Sequence, residues 1–476
     1  MGRASRSSSA RSLPVLSLVG AALASLCAGA LLAVRFETWP RLVLASGGFS
    51  GYLFFFAAAL RRVAVPRVFV EGRPGPDGEV RRGDFLRRAQ GKAVVRRTGA
   101  AAVLAALFTF EGDAAFAQAP APPSTNPAPA SAASPTPSSS GVQLHGFVDV
   151  YASWNPNRPS DRNNFEPGTG TTGVKANEFA VNLAALDVSL DPRPVGFHVV
   201  AVAGTGTDVV HASEAHPNNV RYVYQASASY LVNVGRGILL EAGIQPSHIG
   251  YEGFFSKDNW NYTRGWMGEF SPYYQTGLKV ATSFDDHWSG QLWLLNGWQL
   301  VEDNNSGKSF GTQLEYAREP LGITMNTFFG PELPDDDSHW RSFVDFVGTL
   351  KISENVSAAA SIDLGRQTRP QVAAASWQGA SVWLRYLLRD SSSSSSPSSA
   401  LALRVEYFHD PDATVSPVSQ SVFGSTLTFE LRPHPQLIVK LDVRYDRSTA
   451  DAFGGPDGPL TKRDEFLLVL GAVATF

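Results

Sequence analysis

The sequence predicts an all-β protein, a transmembrane antiparallel β-barrel of about 16 strands closed by its C-terminal strand. Three observations carry that reading. In residues 463–476 every second side chain (Phe466, Leu468, Leu470, Ala472, Ala474, Phe476) is apolar, the two-residue period of a strand with one greasy face. From Val142 onward, strand-like segments are joined alternately by short turns and long polar loops. Ahead of them lies the grammar of a secretory signal.

Composition agrees with a barrel. Hydrophobic content of 43% and a mean hydropathy of -0.08 are too low for a helical membrane protein. They suit a barrel, in which half of each strand faces water. Residues 1–117 carry 16 basic and 7 acidic residues, leaving 24 and 36 for the remainder. The acidic body argues against nucleic acid as a partner. The single cysteine, Cys27, lies in the basic part, which excludes disulfides and thiolate metal sites downstream of it. No cofactor and no metal are expected.

The first 140 residues come before the staves. Two uncharged runs, 13–34 and 42–60, are each long enough to span a bilayer. A basic tract follows, including Arg61, Arg62, Arg81, Arg82, Arg87 and Arg88. Then Lys92, Arg96 and Arg97, the apolar run 99–110 and Ala115-Phe116-Ala117 make a complete signal peptide over 94–117. Residues 1–93 are read either as a membrane-inserted extension or as upstream sequence in frame with a start near Val94 or Val95. The second reading fits a signal that is complete without its leader, and it puts the mature start near Gln118. Residues 118–141, dominated by Pro, Ala and Ser, have too little apolar bulk to offset their ordering entropy and read as a periplasmic tether.

The barrel occupies 142–476. Its staves are predicted at 142–154, 178–190, 195–204, 221–234, 238–245, 273–284, 288–300, 310–318, 323–329, 340–352, 356–365, 377–388, 400–409, 421–431, 437–446 and 464–476. Val439, Leu441, Val443 and Tyr445 oppose Lys440, Asp442, Arg444 and Asp446; Leu401, Leu403, Val405 and Tyr407 oppose Ala402, Arg404 and Glu406. Short turns on one side and long loops on the other place both ends of the barrel in the periplasm. Tyr230, Trp288, Trp298, Tyr316, Trp377 and Tyr407 are expected in aromatic girdles. The inner face of the last strand (Leu467, Val469, Gly471, Val473) is apolar and predicts a packed wall.

The stretches 146–151 (GFVDVY), Asn163-Asn164-Phe165, 253–260 (GFFSKDNW), Asn296-Gly297-Trp298-Gln299 and Asp446-Arg447-Ser448 resemble a family of outer-membrane β-barrel porins. The resemblance implies a passive outer-membrane channel for small hydrophilic solutes or ions and no catalysis. It implies outer-membrane lipid and the barrel assembly machinery as partners, with homotrimer formation open. Terminal Phe476, with Phe466, resembles the signal that machinery recognises.

Chemistry inside the barrel follows from what narrows and charges it. The longest connection, 246–272, carries Glu252, Lys257, Asp258, Arg264 and Glu269, with Trp260, Tyr262 and Trp266 to anchor it, and is the candidate constriction loop. Arg385, Arg404, Lys440 and Arg444 share one sector of wall, with Asp345 and Asp363 as acidic counterparts, and are the candidate selectivity residues. The plainer reading is that Arg404–Glu406 and Asp442–Arg444 are mutually satisfied wall pairs. Gly168-Thr169-Gly170-Thr171-Thr172-Gly173 fits a phosphate-loop pattern but lacks the helix such a site needs. Asp335, Asp336 and Asp337 with Glu332, and His211, Glu214 and His216, read as solvated loops. An outer-membrane enzyme of protease or lipase type would build on His145 and Asp149, beside which no serine is placed; a receptor or adhesin would rest on the loops.

Overall fold

The computed structural model describes residues 141–389 and 397–476. The stretches read as leader (1–93), signal peptide (94–117) and tether (118–141, all but Gly141) lie outside the described residues, as does most of the serine turn before residue 398.

Sixteen strands close into one antiparallel barrel. They are β1 (Gln143–Trp154), β2 (Phe179–Leu190), β3 (Val195–Ala203), β4 (Val223–Val232), β5 (Ile238–Pro246), β6 (Tyr274–Ser283), β7 (Trp288–Leu295) and β8 (Ser309–Arg318). The second half is β9 (Leu321–Leu333), β10 (Asp336–Lys351), β11 (Val356–Gln367), β12 (Ala375–Arg389), β13 (Ser398–Asp410), β14 (Gln420–His434), β15 (Leu437–Ser448) and β18 (Asp464–Thr475). Between the last two, β16 (Phe453–Gly455) and β17 (Gly458–Lys462) form a separate hairpin. Every predicted stave has its strand.

Alternation explains why these residues make a wall. Leu403, Leu441 and Leu470 are 41%, 39% and 49% exposed on the outer face, whereas Arg404, Asp442 and Val469, each one residue on or back, are 0% exposed on the inner. Closure removes the free edges: β1 pairs with β18 from Phe147↔Thr475 to Trp154↔Leu468. Beyond that ladder Phe476 N–H donates to the Gly146 carbonyl at 3.0 Å and Gly146 N–H returns a bond at 3.2 Å. Phe476 is therefore the last rung, with its ring 62% exposed on the lipid side.

Two differences from the sequence reading stand out. β9 and β10 run on into one long hairpin, with Trp340↔Pro331 and Asp336↔Leu333 paired where a longer loop is predicted. The acidic run stays exposed to water as expected, yet it also takes protein donors: Asp337 accepts from Ser306 N–H at 3.0 Å and Gly307 N–H at 2.8 Å, and the more buried Glu332 accepts from Trp298 N–H at 3.0 Å. Trp298 and Trp377 are not girdle residues. Trp298 packs edge to face with Phe328, Phe343 and Trp377, and Trp377 stacks on Phe343, inside the extracellular half of the barrel with Arg341 held over both indoles. Tyr230 and Trp288, at 48% and 40% exposure, do face the lipid.

Candidate functional site

The loop between β5 and β6, residues 247–273, folds into the lumen and touches wall around most of the barrel. Its root is held by His248, whose ring stacks on Trp293 with centroids 5.1 Å apart. Burial pushes the imidazole down to about 4, so the ring is neutral and has one N–H. Nε2 meets the Thr327 carbonyl at 3.0 Å, and Nδ1 meets the Gln275 amide at 2.7 Å. Gly250 N–H then donates to Asp345 of β10 at 2.9 Å. Tyr251 packs on Trp383 of β12 and edge-on to Trp260. At its far end the loop reaches the opposite wall, where Phe254 and Phe255 pack on Tyr224 of β4 and Phe255 on Phe147 of β1.

The return path is held by carboxylates. Asp442 of β15 accepts Tyr262 N–H at 3.2 Å, and Thr263 N–H and Thr263 O–H at 2.8 Å each. Asp149 of β1 accepts Tyr262 O–H and Ser256 O–H, both at 2.7 Å, and Asn182 at 2.9 Å. Tyr262 gets this close because residue 471 is glycine; a Cβ there would lie 2.1 Å from the ring. Glu406 accepts Trp266 N–H at 2.6 Å, and Asp446 accepts the indole N–H at 2.8 Å. These bonds set down the single turn α1 of this loop (Trp266–Glu269) against β12 and β13.

The candidate selectivity residues all face inward, and the loop covers all of them but Arg385. Arg404 is fully buried: it bonds Glu252 of the loop at 2.8 Å, Glu406 at 3.0 Å and the Thr263 carbonyl at 2.6 Å. Arg444 pairs with Asp446 at 2.6 Å rather than with Asp442, donates to the Arg264 carbonyl at 2.6 Å and lies over the Phe165 and Trp266 rings. Lys440 donates to the Ser256 and Asn259 carbonyls. Asp345 and Asp363 are direct cross-strand partners, the latter receiving Ser271 O–H at 3.4 Å. Arg385 sits lower, 3.1 Å from Glu430.

The loop's own charges are mostly turned to structure. Glu252 receives Arg404, Gly265 N–H at 2.6 Å and the Trp383 indole at 3.3 Å. Arg264 donates to the Glu252 carbonyl and stacks 4.3 Å from the Tyr273 centroid. Only Lys257 and Asp258, paired at 2.8 Å near the tip, keep substantial exposure. Glu269 reaches the first external loop, accepting Gly170 N–H at 2.9 Å, Thr171 N–H at 3.2 Å and Thr171 O–H at 2.8 Å. The glycine-rich run does cradle an anion, namely this chain's own carboxylate. Its glycines at 168, 170 and 173 hold φ near +85°, which turns successive amides the same way.

Other candidates resolve by contact. Glu214 accepts Val301 N–H at 2.8 Å and His216 meets Glu302 at 2.8 Å, so the second external loop clasps the fourth. Its short helices α2 (Thr205–Val210) and α3 (Pro217–Val220) carry those residues' neighbours. Asp149 is occupied by Tyr262, Ser256 and Asn182, and His145 stands exposed at the barrel mouth.

Sequence reasoning missed Arg432 and Glu430 at the lower rim and the role of Asp442 as anchor. Inward parity was the available signal, since Asp442 and Arg444 share a face, as do Glu430 and Arg432. Which loop amide each carboxylate meets is not encoded in any period.

Residues 141–476 match the family model described as "Putative beta-barrel porin-2, OmpL-like". No curated protein matches the chain. Among solved structures, the chain is similar to OmpT of Vibrio cholerae in its trimer form (10% identity, 71% of this chain and 99% of that one, TM-score 0.47). It is also similar to an anion-selective porin from Comamonas acidovorans (9% identity, 71% and 99%, TM-score 0.46). A third is the outer membrane channel DcaP of Acinetobacter baumannii (13% identity, 70% and 97%, TM-score 0.45). Likeness at this level says nothing of solute or assembly.

Proposed function

The chain belongs to this porin family and is a bacterial outer-membrane β-barrel, and on that premise we propose that it is a narrow channel for passive diffusion of small hydrophilic solutes or ions. The observation that carries the reading is the inward loop. A sixteen-strand barrel has a lumen wide enough for water, and a loop fixed across it sets the aperture. Its anchors are charge-assisted hydrogen bonds in a shielded interior, which suit a fixed constriction better than a mobile cap. Conductance should accordingly be low for a barrel of this size.

In this reading the chain catalyses nothing. Asp149, the acid an enzyme would need beside His145, is committed to three loop and wall donors. The partners are membrane lipid, the assembly machinery acting on the last strand, and the passing solutes; chemical cross-linking in native membranes would test a homotrimer. Liposome swelling tests the function itself. Reconstituted barrel should admit small polar solutes, with the rate falling steeply as solute size rises. Folded barrel that admits none, or that hydrolyses lipid or peptide, would contradict the reading.

A further inference from the structure

We propose that the lumen below the constriction loop holds an anion-binding site, made by Arg385 and Arg432 with Lys440 behind them, that takes the carboxylate or phosphate group of a small solute. The site lies on the channel proposed above and as a solute site rests on that reading.

The argument is one of charge balance. Glu430 of β14 is shared by three cations: Arg385 Nη2 at 3.1 Å, Arg432 Nε at 3.0 Å and Lys440 Nζ at 3.5 Å. The other contacts of Lys440 are the Ser256 and Asn259 carbonyls, which bring no negative charge. Elsewhere in the lumen the account closes differently. Arg404 has two carboxylates, Arg444 has Asp446, and Lys279 has Glu241 at 2.5 Å. Here Asp442 and Asp149 lie near Lys440 and offset its charge. The positive surplus therefore rests on Arg385 and Arg432, which have only Glu430 between them among the described residues. The side chains of Arg385, Lys440 and Glu430 are 8%, 1% and 5% exposed. Surplus charge so shielded from water favours a counter-ion.

The geometry lets one in. Arg432, 30% exposed, opens to the mouth, and only its Nε is engaged, so its outer guanidinium nitrogens have no protein partner among the described residues. A free guanidinium edge matches the two oxygens of a carboxylate or phosphate. These residues lie toward the end of the barrel with the short β14–β15 turn and both barrel ends, which is the periplasmic side. Lys440 ties the cluster to the underside of the loop. Across the lumen, Asp187 with His198 and Glu241 with Lys279 leave no such excess. An anion at the mouth is drawn to one wall.

The test is equilibrium binding of inorganic phosphate, and separately acetate, to detergent-folded barrel at constant ionic strength. At least one is expected to bind and to raise the melting temperature, and the tighter of the two identifies the head group. Arg385→Ser with Arg432→Ser should weaken binding by about tenfold or more. Glu430→Gln keeps the shape, removes the competing charge and should strengthen it. That opposite sign decides the matter even if the double variant fails to fold. Absence of binding by both anions to the wild type, or weaker binding by Glu430→Gln, overturns the proposal. Because binding needs no conduction, a barrel that binds phosphate but leaves liposomes unswollen refutes the channel alone.

Discussion

Arg404 is, on its sequence, a lumen cation that tunes selectivity; in the fold it is buried against Glu252 and Glu406. Removing one member of such a group leaves the others charged and dry, at a cost of about 3–5 kcal/mol. Arg404→Ser is therefore expected to lower the denaturation midpoint markedly, with little change in reversal potential if folded protein is recovered. Asp442→Asn tests the neighbouring anchor. The amide offers one oxygen and an unwanted NH₂ to the Tyr262, Thr263 and Thr428 donors, so a loss of about 1–3 kcal/mol is expected in urea unfolding. A third residue makes the first external loop pH-sensitive. Burial pushes Glu166 up to about 8, opposed by the Gln420 bond and helped by Asp446, Glu465 and Asp410 nearby. An acid whose folded value is raised binds its proton more tightly when folded. Its contribution is full below the ordinary carboxylate range and is lost as pH rises through about 8. Hydrogen exchange in residues 160–175 should quicken from pH 5 to 8 beyond the intrinsic base catalysis, and Glu166→Gln should remove that excess.

Strands and loops were unequally legible. A strand's alternation survives any tertiary context, because its two faces meet different media, and so each stave could be located from its apolar residues alone. The inward loop was visible as the longest connection, but its anchors were not. Asp442 meeting Tyr262 and Thr263 joins residues far apart in the chain and leaves no local pattern. Trp298 and Trp377 misled for a related reason: an aromatic near a strand end looks the same whether it faces lipid or core. Parity separates the two for Trp377 on β12, but Trp298 lies past the end of β7, where no parity applies. At the closing seam, Phe476→Ala should lower the yield of heat-modifiable barrel, because the outward ring is at the last rung and away from the lumen. Normal assembly with altered conductance would argue against that role. Gly471→Ala should displace Tyr262 and loosen the loop while leaving the β15–β18 ladder intact, since the added methyl points inward.

For the whole molecule, the physical scheme is a lipid-facing apolar shell, a polar interior, and a loop that turns that interior from an open bore into a guarded one. The barrel wall alone would tolerate loss of the loop's contacts, because ladder hydrogen bonds close it from β1 to β18. The loop could not hold its path without the wall carboxylates. Single-channel recording in planar bilayers tests this division most directly, comparing wild type with a variant in which residues 253–264 are replaced by a short Gly-Ser bridge. The wild type should show small, steady openings, and the shortened loop a conductance several-fold larger in a barrel of unchanged heat-modifiability. Equal conductance in the two, with both folded, would mean that the loop does not set the aperture.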